Sequence, residues 1–146
     1  MLTGFTTSSN GDFTNNHGSQ DACILRLGKN GNKIWLKTYG GTGVDNANSI
    51  IATADGGFMM CGHTGSNDWH VTGKRKGNDA WIVKVDGNGS IVSQKTFGGG
   101  GDDKGLFVIA TQDGGYAFSG QTSSTNGDIV GQHGALDAWI VKFKIQ

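Results

Sequence analysis

The sequence predicts an all-β protein made of four-stranded antiparallel β-propeller blades. About two and a half 58-residue repeats follow one another, so that the ring is incomplete within one chain. Three observations predict it. The chain repeats itself at a fixed interval; its composition favours turns over helices; and turn signals recur between short apolar runs.

The interval comes first because a fixed period of this size marks a repeat architecture. Asp21-Ala22-Cys23-Ile24 returns as Asp79-Ala80-Trp81-Ile82-Val83-Lys84 and again as Asp137-Ala138-Trp139-Ile140-Val141-Lys142, 58 residues apart each time. Asp55-Gly56-Gly57-Phe58 returns as Asp113-Gly114-Gly115-Tyr116, and Met1 to Thr6 aligns without gaps with Met59 to Thr64 and Ala117 to Thr122. Between Asp21–Asn78 and Asp79–Leu136, 21 of 58 positions are identical, too many for coincidence.

Composition agrees. Of 146 residues 27 are Gly and none is Pro, and all 12 acidic residues are Asp. Asp prefers caps and turns where Glu favours helix, so this choice of acid argues for many tight turns. Twelve basic residues leave a formal net charge of zero, which speaks against a nucleic-acid footprint and against an anionic-membrane patch. No apolar run approaches the length of a membrane span, and the start Met1-Leu2-Thr3-Gly4 has no signal-peptide pattern. Cys23 and Cys61 are expected to be buried free thiols.

Within one period the texture is strand, turn, strand. Asn48 to Thr53 (strand a) and Phe58 to Gly62 (b) flank Asp55-Gly56-Gly57, a strong hairpin signal. Asp79 to Val85 (c) and Ile91 to Phe97 (d) flank Asp86-Gly87-Asn88-Gly89. Strand c is apolar on both faces, which suits a sheet packed between two neighbours. The expected organisation is a single segment over 1–146, with a partial blade at 1–46, a full blade at 47–104 and a partial blade at 105–146. The first lacks strand a and the third lacks d. Propellers hold about 4 to 8 blades, so two apolar flanks would stay open. A homodimer closing a six-bladed ring, or a higher oligomer, is the expected partner arrangement, with a fragment of a longer chain as the alternative.

The string Thr38-Tyr39-Gly40-Gly41-Thr42-Gly43-Val44-Asp45, followed by Ser49-Ile50-Ile51-Ala52, Asp55-Gly56-Gly57-Phe58 and Gly62-His63-Thr64, resembles the bacterial β-propeller repeat family known as SBBP repeats. The second copy, Thr96-Phe97-Gly98-Gly99-Gly100-Gly101-Asp102-Asp103, is similar too. The resemblance spans nearly the whole chain. It implies an extracellular or cell-surface setting and no particular function.

Candidate site residues come from the longer loops, because the a–b and c–d turns are tight. The b–c loops (7–20, 65–78, 123–136) and the d–a turns (40–46, 98–104) are expected on one rim, where binding concentrates. That rim carries Asp12, His17, Asp45, Asp68, His70, Asp103, Asp128 and His133. Their Asp and Asn oxygens suit a sugar hydroxyl or a Ca²⁺ ion, against a purely turn-holding role. Trp69 is the best single ligand contact, a loop Trp whose counterparts are Gly11 and Gly127. Trp81 and Trp139 read as packing wedges. Position 75 is Arg between His17 and His133, so no ring of His ligands forms, and no Cys or His pair has zinc spacing. The adjacent Asp102 and Asp103 are expected to point opposite ways and do not form a convergent acid–base pair, and there is no Gly-x-Ser-x-Gly elbow, so the reading is a non-catalytic module that binds a glycan or protein. A structural spacer and a hydrolase with its site on the b–c rim are the alternatives.

Overall fold

The computed structural model of the chain describes residues 1–145. It is all-β. Ten strands form three antiparallel sheets, each connected in simple sequence order. The first holds β1 (Leu2–Thr6), β2 (Asp21–Leu27) and β3 (Lys33–Tyr39). The second holds β4 (Asp45–Ala52), β5 (Phe58–Thr64), β6 (Asp79–Val85) and β7 (Ile91–Phe97). The third holds β8 (Asp103–Ala110), β9 (Tyr116–Thr122) and β10 (Asp137–Phe143).

The 58-residue period is carried into the backbone. β2, β6 and β10 begin and end at equivalent positions, as do β3 and β7, β4 and β8, and β5 and β9. Irregularities repeat as well. A bulge between Arg26 and Leu27 recurs between Lys84 and Val85, and one between Ala47 and Ser49 recurs between Gly105 and Phe107. The boundaries expected at 46/47 and 104/105 fall inside β4 and β8. These strands start at Asp45 and Asp103, because each Asp is fully buried and bonded to the neighbouring strand, which draws the last turn residues into the sheet.

The sheets stack face to face over two apolar junctions. Ala22, Ile24 and Tyr39 of the first sheet meet Ala47, Met60, Trp81, Val83 and Val85 of the second. Ala80, Ile82 and Phe97 of the second sheet occupy the same positions in the next junction, facing Val108, Phe118 and Phe143 of the third. The middle sheet is thus covered on both faces, which explains the continuous apolar run of β6, whose Trp81, Ile82 and Val83 are all fully buried.

The outer sheets each keep one uncovered apolar face. Ile24 and Ile82 are fully buried, while the equivalent Ile140 is 80% exposed. On the other flank Leu2 is 57% exposed although its equivalents Met60 and Phe118 are buried. Cys23, expected buried, is only half-buried, because it takes the seat of Trp81 on this open face; Cys61 is buried between the second and third sheets, and both thiols are free. No helix of the described residues is long and apolar enough to cross a membrane.

Candidate functional site

The loop rim is assembled by a repeated set of backbone-directed bonds. Each d–a turn tucks under the b–c loop of the following repeat. Asp45 accepts the hydroxyls of Thr64 and Ser66 (2.6 Å) and the Gly41 N–H (2.8 Å). Asp103 does the same with Thr122, Ser124 (2.7 Å) and the Gly99 N–H (2.8 Å). These two candidates therefore lie beneath the rim, fully buried and supplied with donors, and not on its surface. The Asp at the head of strand c has its own repeated role. It accepts the backbone N–H four residues earlier: His17 to Asp21 (3.0 Å), Arg75 to Asp79 (2.9 Å) and His133 to Asp137 (2.6 Å). The contact common to all three repeats uses the main chain, so the side chain there varies between His and Arg, with His17 adding a ring bond of its own.

Gly40 and Gly98 lie where two such carboxylates approach. A Cβ on Gly40 would sit 2.5 Å from Asp45 Oδ2 and 2.8 Å from Asp21 Oδ1; on Gly98 it would sit 2.5 Å from Asp103 Oδ2 and 2.7 Å from Asp79 Oδ1. Only glycine fits. Asp21 Oδ1 and Asp79 Oδ1 have no conventional hydrogen-bond partner. Burial, reinforced by the Asp103 charge, raises the Asp79 pKa.

Above this common framework, one junction differs from the other. Between the first and second sheets the His17 Nδ1–H donates to Asp21 Oδ2 at 2.9 Å. The His17 ring rests against Trp69, centroids 4.6 Å apart and tilted by 44°, and meets the edge of His70 at 4.9 Å. His70 Nδ1 accepts the Gly40 N–H at 3.2 Å, so its proton sits on Nε2. Burial and the neighbouring His17 lower the His70 pKa. His17 and His70 line a cleft of about 410 Å³ together with Asn15, Lys37, Tyr39 and Ser90. Tyr39 donates its phenol to the Gly89 carbonyl (2.8 Å), and burial, with the Asp86 charge, raises its pKa.

Trp69 is the outlier of the chain. It has φ of 52°, whereas its counterparts Gly11 and Gly127 have 63° and 74°. A bulky side chain in this left-handed region is strained, and such strain clusters at ligand-contact sites. It is also 69% exposed, and its ring touches His17, which lines the cleft.

At the second junction Arg75, Gly127 and Asp128 replace His17, Trp69 and His70. The Arg75 guanidinium grips Asp128 (2.7 and 3.4 Å) and the Gly98 carbonyl (2.7 Å), and Asp128 accepts the Gly98 N–H as His70 accepts that of Gly40. Asp68 is engaged by Thr42, whose N–H and hydroxyl donate to it at 2.9 and 2.8 Å and hold its carboxyl below the usual range.

The structure thus brings together His17, Trp69 and His70, with Asp68 next to them and Asp45 buried beneath, and places the remaining candidates elsewhere. Asp128 belongs to the second junction. Asp12 pairs with Lys33 on the outer flank of the first sheet, and His133 lies on the exposed loop of the third. Among the described residues no three His, Cys or Asp side chains converge as a metal-ligand set. Tyr39, Lys37 and Asn15 were not singled out by sequence. Their signal was the repetition of Lys37 and Tyr39 as Lys95 and Phe97 at the end of strand d, which reads equally well as packing.

No protein-family model matches the chain, and no curated protein sequence matches it.

Proposed function

We propose that the three sheets are blades of a β-propeller, and that the chain is a non-catalytic binding and interaction module whose open flanks are covered by a second copy. One observation carries this reading: the same isoleucine is buried at two junctions and 80% exposed at the third position. The uncovered face of the third sheet repeats the half-junction that the first two sheets present internally, and the uncovered face of the first sheet repeats the opposite half. Such a contact is head-to-tail, and it closes into a ring when the rotation per sheet allows. Two copies bring six sheets, within the usual range of blade numbers. Burying Ile140 contributes about 2 kcal/mol per contact. The resemblance to bacterial SBBP repeats supports the blade reading and an extracellular or surface setting. Light scattering across a dilution series tests it: a dimer that dissociates on dilution is expected, and a monomer at every concentration would overturn it.

A second reading concerns the ligand, and the strained Trp69 favours it. An exposed indole beside a cleft with Lys37, Asn15 and Ser90 suits a sugar, whose apolar ring face stacks while its hydroxyls find polar partners. Neither imidazole is paired with a nucleophile, which favours binding over catalysis. The test is a glycan array with wild type and Trp69→Gly. Trp69→Gly copies the residue of the other two repeats, so it leaves the loop intact while removing the platform. Equal glycan binding by both proteins, or none by wild type, would end this reading.

A further inference from the structure

We propose that the cleft lined by His17 and His70 binds an acidic sugar, with the Lys37 ammonium pairing with the carboxylate of a uronic acid residue. The inference rests on the glycan reading above and adds the charge of the ligand to it.

The cleft lies inside the molecule's first junction. Its walls come from the loop before β2, the end of β3, the loop after β5 and the turn into β7. Lys37 is the only Lys, Arg or Asp among the residues that line it. The side chain is half-buried, and among the described residues no carboxylate pairs with it, whereas Lys33, Lys84 and Lys142 are paired with Asp12, Asp55 and Asp113. A half-buried ammonium without a counter-ion has given up part of its hydration, so an incoming carboxylate gains more there than beside a fully solvated lysine.

The stem of Lys37 is seated. Gly89 has φ of 76°, and a Cβ there would come within 3.0 Å of both Lys37 Cδ and the Tyr39 hydroxyl. The glycine thus lets the turn pass close against the lysine stem. Two carboxylates neighbour the cleft without lining it. Asp21 Oδ2 takes the His17 N–H and ring N–H at 3.0 and 2.9 Å, and Asp86 Oδ1 takes the Asn88 and Ser90 N–H groups, both at 2.8 Å. Each is committed to other donors.

The second junction serves as an internal control. There Lys95 stands for Lys37, Arg75 for His17 and Asp128 for His70. Arg75 and Asp128 neutralise each other, and Lys95 lies over the Phe97 ring, 4.8 Å from its centroid. An anion arriving there meets the Asp128 carboxylate. At the first junction His70 keeps only the part of this role that the backbone needs, accepting the Gly40 N–H through Nδ1 as Asp128 accepts that of Gly98. The exchange of aspartate for histidine removes a negative charge from this place and leaves an Nε2–H that no described residue accepts. That donor and the Lys37 ammonium suit a carboxylate. Asp21 holds the His17 proton on Nδ1, so His17 Nε2 is left to accept a sugar hydroxyl. The cleft's volume of about 410 Å³ falls within the roughly 300–1,000 Å³ of small-molecule sites.

The test is isothermal titration calorimetry of the full chain at neutral pH with uronic acid trisaccharides of the galacto, manno and gluco series, each beside its neutral methyl ester. At least one acid is expected to bind saturably, at least tenfold more tightly than its ester, and more weakly as salt is raised. Lys37→Met keeps a stem against Gly89 and removes the charge; it binds acid and ester alike. His70→Asp copies the second junction and keeps an acceptor for the Gly40 N–H; it weakens the acid and spares the ester. Equal affinity of wild type for acid and ester, or a preference for the acid that survives in Lys37→Met, would overturn the proposal and leave the glycan reading standing. Absence of binding by every acid and every ester would overturn both.

Discussion

Asp45→Asn tests the framework under the rim. The Asp45 carboxylate accepts three donors, Thr64 Oγ1, Ser66 Oγ at 2.6 Å and the Gly41 N–H at 2.8 Å, in a fully buried setting. The amide has the same shape, so no cavity forms and the effect is one of hydrogen bonding and charge. Whichever way the amide is turned, its NH₂ faces a donor in place of an oxygen. Ser66 cannot easily reverse its role, because its oxygen already accepts the Gly43 N–H at 2.8 Å. Hydrogen bonds to charged groups are worth about 1.5–3 kcal/mol each. With one or two lost, destabilisation of about 3 kcal/mol is expected, a large share of the roughly 5–15 kcal/mol of a typical domain. In urea unfolding, with a slope of about 2 kcal/mol/M, the midpoint falls by about 1.5 M. Asp103→Asn has equivalent partners and loses a similar amount. A fall below about 0.5 M at either site, or a twofold disparity between them, would refute the claim that these carboxylates are equivalent structural anchors.

Other outcomes follow from the same structure. Trp69→Gly relieves a left-handed tryptophan and loses a tilted ring contact with His17; the net change in stability by thermal unfolding is within about 1 kcal/mol, in contrast with a complete loss of glycan binding. His63 and His70 have lowered pKa values, His63 through burial and the Lys104 charge and His70 through burial and the His17 charge. The unfolded chain therefore takes up protons first as pH falls through about 6.5. Stability contributed by these neutral rings is present above that pH and declines below it, which urea midpoints between pH 8 and 5 record. His17→Arg with His70→Asp copies the Arg75–Asp128 pair and removes the His70 share of that decline. Asp79 has a raised pKa, so its contribution is fully present in acid and is lost as pH rises through the folded value. Asp79→Asn accordingly raises the urea midpoint at pH 7.

Much of the fold was legible because the repeat is gapless and the turns are chemically explicit. Asp79–Val85 and Ile91–Phe97 form β6 and β7 as the Asp-Gly-Asn-Gly signal between them implies. β4 starts at Asp45, ahead of the Asn48 expected from sequence, because Asp45 reads locally as a turn residue. Only the tertiary bonds to Thr64 and Ser66, 19 and 21 residues away, reveal it as a strand residue. The same non-local bonding removed Asp45 and Asp103 from the rim. Trp69 was visible as an unmatched loop tryptophan, but its positive φ and its His17 contact depend on how two sheets meet, which periodicity does not encode. Cys23 departs from its expected burial for a related reason: its position is buried in the second repeat, as Trp81, and open in the first.

The claim that the outer flanks are covered by a second copy is tested most directly by the protein's own thiols. Cys61 is buried between the second and third sheets, and its thiol pKa is pushed up to about 12 by burial, so it stays silent to an alkylating reagent in the folded protein. Cys23 sits half-buried on the open flank, beside Leu2 and Leu25. The account predicts that Cys23 is labelled quickly in dilute protein and progressively more slowly as concentration rises and the flank is covered. A Cys23 labelling rate that is the same at every protein concentration would contradict it.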